Sequence, residues 1–247
     1  MNTNNNVYTI IYTTVVCVLV AAILAFVSQS LKSRQEANEK AETVSQILTA
    51  AKIVSDKSEC DAMGNDKVLA TYVQYISESF IINKQGAKVA DLDKANSQIF
   101  TVPQLKAQNY NIKDASKDAE LPVYVFNKDG KEVTVIPVYG AGLWGPVWGY
   151  IAFESDLQTI VGAYFDHESE TPGLGGKIKD DGPAFRDKFA GKKAHFNAEP
   201  VFKILKAASY KGEENSIDAI SGATMTSNGV NEAINTWFEA YKPYFTK

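Results

Sequence analysis

From Met1 to Leu31 the chain carries no charged side chain, and the first one is Lys32. Within that stretch residues 7–27 hold Val, Ile, Leu or Phe at twelve positions. A helix needs about 20 residues to cross the hydrocarbon core, so this run is long enough. At roughly −0.3 to −0.6 kcal/mol each near the bilayer centre, those residues outweigh the few Thr and Tyr among them. A cleaved signal peptide would show a basic start and a shorter apolar run. Val16 is also too bulky to precede a lipid-attachment cysteine at Cys17. We read residues 1–6 as a tail and residues 7–27 as an uncleaved single-pass anchor.

The pattern then changes. Residues 28–53 continue as a polar helix with a sparse apolar seam of Ala37, Val44, Ile47 and Leu48. This connector is either a spacer or a short coiled-coil surface. Residues 54–247 form the folded domain. Val123 to Phe126, the turn Asp129-Gly130 and Lys131 to Tyr139 read as a hairpin. Val147 to Phe153 and Thr159 to Phe165 are two further strands at short spacing. Four strands so closely joined predict an antiparallel sheet with flanking helices, an α+β domain, rather than βαβ units. Pro183 to Gly191 reads as a short helix, and His195 to Leu205 as a return to the sheet. The last helix runs from Asn228 to Tyr241, where Val230, Ala233, Ile234, Trp237 and Tyr241 form one apolar stripe.

Three runs are candidates for chemistry. Gly140-Ala-Gly-Leu-Trp-Gly145 matches the G-x-G-x-x-G pattern, but Pro146 and another strand follow where a dinucleotide site needs a helix. These glycines therefore shape a turn. Glu170-Thr-Pro-Gly-Leu-Gly-Gly176 can adopt positive φ and let backbone approach a flat ligand, or it is simply a flexible loop. Ser221-Gly-Ala-Thr-Met-Thr226 precedes the last helix. Residue types alone leave two readings of it open. It is a helix N-cap, with Thr224, Thr226 or Ser227 accepting a backbone N–H, or a site where helix-start amides face an anion.

Composition narrows the function. With 45% apolar and 22% charged residues the chain can bury a core, and a net charge of −4 argues against nucleic acid. Two cysteines, Cys17 and Cys60, make no disulfide framework. Two histidines, His167 and His195, without CxxC or HxxxH spacing, give no metal-site pattern. Thr224 has no neighbouring His or Lys in the chain to act as base, which suits an acceptor better than a nucleophilic catalyst.

Asp218-Ala-Ile-Ser-Gly-Ala-Thr224, with the Glu-Thr-Pro-Gly-Leu-Gly run upstream and an N-terminal anchor, resembles the FMN-binding domain family. That family is found in the C subunit of the sodium-translocating NADH:quinone reductase and in the G subunit of the Rnf electron-transport complex. The resemblance implies FMN bound covalently, through a phosphoester to Thr224, by a separate flavin transferase that uses FAD. It implies a cofactor site of Ser221, Gly222, Ala223, Thr226 and Asp218 around that threonine. Glu170, Thr171, Gly173, Leu174 and Gly175 would lie at the ring, with Trp144 as a ring neighbour. It implies an electron relay within a membrane complex, with the multi-span B, D and E subunits and the NADH-oxidising F subunit as partners. Lys32 and Arg34 follow the span, so a literal charge count keeps the domain in the cytoplasm. The resemblance places it on the periplasmic face of the bacterial inner membrane. The rival readings are the Rnf-type subunit and an anchored binding or scaffolding domain without redox activity.

Overall fold

The computed structural model describes residues 6–180 and 182–247. The apolar run is helical, as its composition requires: α1 spans Asn6–Ala50. It is the one helix among the described residues long and apolar enough to cross a membrane. The chain divides into a unit up to Lys40 and a second, compact unit of Ala41–Lys247. In the first unit the residues from Val7 to Leu31 expose nearly all their side chains, Tyr8 being partly covered.

The second unit begins at Ala41 rather than at residue 54. The last turns of α1 are buried, with Val44, Ile47 and Leu48 at 0% exposure. Three residues of the expected seam, Val44, Ile47 and Leu48, are therefore part of the domain's own core, whereas Ala37 is exposed. Interleaved polar residues hid this in the sequence, and two of them, Gln46 and Thr49, make their hydrogen bonds inside. Thr49 Oγ1 donates to the Ser45 carbonyl at 2.8 Å, and Gln46 Nε2 to Asp166 Oδ2 at 2.9 Å.

Two short helices follow, α2 Lys57–Met63 and α3 Asn65–Tyr75, and then strands β1 Ile76–Ile82 and β2 Lys88–Asp91. Helix α4, Val102–Lys113, opens on a capping box in which Gln104 reaches back to Thr101. Strands β3 Leu121–Lys128, β4 Lys131–Ala141, β5 Pro146–Phe153 and β6 Ile160–His167 complete a six-stranded sheet. Its order is β2-β1-β3-β4-β5-β6, and every pairing is antiparallel. The β3–β4 turn has Asp129 and Gly130 both at positive φ, as a two-residue hairpin turn requires.

Beyond the sheet come the short helix α5 Gly182–Arg186, strands β7 Lys203–Leu205 and β8 Ser216–Asp218, and helix α6 Thr224–Phe245. The stretch ending at Leu205 does not return to the main sheet. Instead β7 pairs with β8 in a separate two-stranded parallel sheet. Helix α6 buries the whole expected stripe. It lies close on β4, where a Cβ at Gly140 would press on Ala233 and one at Gly229 on the Ala141 carbonyl. Trp237 fixes this packing, its Nε1 donating to the Tyr139 carbonyl at 2.9 Å and to Asn109 Oδ1 at 3.1 Å. The Tyr241 hydroxyl donates to the Pro122 carbonyl at 2.7 Å. The helix start is thereby held beside the end of β4.

Candidate flavin site

Three segments distant in sequence converge at the start of α6. The first is the tight β4–β5 turn, closed by a bond from the Gly142 N–H to the Gly145 carbonyl at 2.7 Å. It is a hairpin turn with no helix after it, consistent with rejecting a dinucleotide site. The second is the loop after β6, where Gly173 takes φ 75° and Gly175–Ile178 forms a 3-10 turn. Thr171 is exposed, and its carbonyl accepts the N–H groups of Leu174 and Gly176. The third is the Ser-Gly-Ala-Thr run, in which Gly222 takes φ 79° and lies against Leu174.

Glu170 joins the three. It is buried at 4% exposure. Its Oε1 accepts the backbone N–H groups of Leu143 and Trp144 at 2.7 and 2.9 Å. Its Oε2 accepts the Thr226 hydroxyl at 2.5 Å. Burial opposes its charge, but the bonds from Thr226, Trp144 and Leu143 and the neighbouring His167 outweigh that and hold the carboxyl below its ordinary range. The Glu170 N–H in turn donates to His167 Nδ1 at 3.1 Å. The glycines make room for this carboxylate: a Cβ at Gly142 would press on Oε1, and one at Gly175 on Oε2 and the Thr226 hydroxyl.

Ala223 precedes α6 without a side-chain cap, so none of Thr224, Thr226 and Ser227 caps this helix. The Ser227 N–H reaches the Ala223 carbonyl at 2.9 Å, while the amides of Thr224, Met225 and Thr226 have no carbonyl one turn behind them. Thr224 and Ser221 are exposed. Around them four large apolar side chains stand in solvent: Trp144 (68% exposed), Met225 (59%), Leu143 (49%) and Leu174 (46%). Helix-start amides beside a bare apolar rim suit a ligand with a phosphate at one end and a flat ring at the other. FMN has that form.

Most of the sequence-predicted residues are thus brought together. Asp218 pairs its carboxylate with Lys188 at 2.7 Å. Sequence reasoning overlooked Met225, His167 and the space-making role of Gly142. Of these, only the His-x-x-Glu spacing of His167 and Glu170 is visible in the chain, and nothing local reveals that it carries a hydrogen bond.

The fold and this site define an FMN-binding domain borne on a chain with one helix, among the described residues, long and apolar enough to cross a membrane. The family model described as FMN-binding domain matches residues 142–239, the stretch holding all three site segments. Curated relatives, each named as the C subunit of a Na(+)-translocating NADH-quinone reductase, extend the likeness over nearly the whole chain. The one from Vibrio vulnificus is 31% identical over 235 residues, covering 91% of this chain and 88% of the relative. That from Haemophilus ducreyi is 31% identical and covers 96% and 91%. The crystal structure of the C subunit from Parabacteroides distasonis matches with a TM-score of 0.70 at 33% identity, over 88% of this chain and 98% of that one. The chain belongs to the C-subunit family of the Na(+)-translocating NADH-quinone reductase.

Proposed function

We propose that this chain is the membrane-anchored, flavin-carrying electron-transfer subunit of a sodium-translocating NADH:quinone reductase. FMN is joined by a phosphoester to Thr224, and the domain lies on the periplasmic face of the inner membrane. Membership of the C-subunit family supports the electron-transfer role, and the FMN-binding domain supports the cofactor. The covalent link and the orientation rest on the sequence resemblance. One observation carries the choice of residue: Thr224 is exposed at the first position of α6, amid amides with no carbonyl one turn behind them.

Attachment makes Thr224 an acceptor. Transfer from FAD would join Thr224 Oγ1 to the flavin-side phosphorus, with AMP as leaving group and release of the hydroxyl proton. The amides of the first turn and the positive end of the α6 dipole would hold the phosphodiester charge. Trp144, Leu143, Leu174 and Met225 offer apolar cover for the ring. When bound, FMN supplies one- and two-electron redox chemistry, and the chain supplies position and shielding. A single apolar helix contains no ion path, so sodium movement belongs to multi-span partners such as the B, D and E subunits, with the F subunit oxidising NADH.

Intact mass of the chain from its native membrane tests the reading. A gain equal to FMN less one water, localised to the peptide containing Thr224, supports it. A polypeptide weighing no more than its amino acids refutes it.

A further inference from the structure

The run at the start of α6 holds four hydroxyls, on Ser221, Thr224, Thr226 and Ser227. Two of them are withdrawn into the fold. Thr226 is 1% exposed and its proton is committed to Glu170. Ser227 is likewise 1% exposed, and its oxygen accepts the Ile220 N–H at 3.2 Å. Ser221 lies before the left-handed turn at Gly222, outside the helix. Of the four, only Thr224 is at once exposed and helical.

Glu170 cannot offer its carboxylate outward without giving up bonds already made. Both oxygens point inward, to the backbone of the Leu143-Trp144 turn and to Thr226. A buried carboxylate with three donors is held far more firmly than a surface one. The bonds it makes fix the rim residue Trp144 relative to the first turn of α6. Gly142 and Gly175 are the space in which it sits.

We propose that Glu170 and Thr226 are positioning residues, not flavin contacts: their hydrogen bond denies Thr226 to the flavin transferase and holds the Leu143-Trp144 turn in register with Thr224. This inference rests on the reading of Thr224 as the flavin acceptor. Thr226→Val removes the donor while keeping the shape, and Thr226→Ser restores the donor. Glu170→Gln keeps the size and weakens the acceptor.

The full chain is expressed in detergent-extracted form with and without a flavin transferase. Two quantities are read: hydrogen exchange at the Leu143 and Trp144 amides in the unmodified chain, and the rate at which the FMN mass appears at Thr224. Thr226→Val is expected to speed exchange and to slow attachment, each by about tenfold, the low end of what a hydrogen bond to a charged group contributes. Thr226→Ser returns both toward wild type, and Glu170→Gln falls between. A Thr226→Val chain that exchanges and accepts flavin like the wild type overturns the positioning role alone. A wild-type chain that never gains the FMN mass overturns the acceptor reading beneath it.

Discussion

The Thr226 hydroxyl and the Glu170 carboxylate meet at 2.5 Å across 56 residues of chain, and neither is open to solvent. Their bond joins the glycine-rich loop to the last helix. Hydrogen bonds to charged groups contribute about 1.5–3 kcal/mol, so Thr226→Val should destabilise the domain by that order in urea denaturation.

The same carboxylate sets a pH dependence. Its folded-state pKa lies below the unfolded value, so its contribution is complete above the ordinary glutamate range. The contribution fades as pH falls through the folded value. Wild type should be more stable than Glu170→Gln at pH 7, and the gap should narrow on acidification below about pH 4. Denaturation midpoints measured from neutral pH down through that range check the sign. A gap that widens on acidification contradicts it.

Two glycines of one loop should respond differently. Gly175→Ala drives a Cβ into the Glu170–Thr226 contact and should cost about 1–3 kcal/mol as overpacking. Gly173 has open space around it but takes φ 75°, so Gly173→Val meets backbone strain of about 1–2 kcal/mol. That change should alter flavin absorbance while leaving attachment intact. Urea midpoints and visible spectra of the two variants separate these effects.

Thr224→Ala removes an exposed side chain and should shift stability by no more than about 0.5 kcal/mol. It should also abolish the ultraviolet-fluorescent band at this chain's size on a denaturing gel when the transferase is co-expressed. A band that survives the substitution defeats the assignment.

Trp237→Phe keeps a ring in the core but removes the donor to the Tyr139 carbonyl and Asn109. Leaving buried acceptors unmet costs about 1–3 kcal/mol, readable in thermal or urea melts. Because α6 and the end of β4 are joined there, the loss should be global, not confined to the glycine loop.

Periodicity revealed the elements that bury one face. The apolar run, the β3–β4 hairpin, strands β5 and β6 and the Val230-to-Tyr241 stripe all show in the order of residues. Where polar groups are buried but satisfied, pattern fails. Gln46 and Thr49 sit at 2% exposure in the end of α1 with their hydrogen bonds made inside, yet they read as part of a solvated connector. The β7–β8 pair is short and parallel, and its register comes from distant packing rather than local preference. At the candidate site the motifs marked the loops that converge but not the direction of their side chains. Nothing near Glu170 in sequence shows that Leu143, Trp144 and Thr226 will surround its carboxylate.

The three indoles occupy three different surroundings. Trp237 is fully enclosed, Trp148 is half-covered with its Nε1 directed to Gln46, and Trp144 stands mostly in water on the rim. The molecule therefore carries an intrinsic optical gauge. A water-soluble quencher should reach Trp144 first, and a flavin settling over it should extinguish that emission, so cofactor loading can be followed by light with no label added.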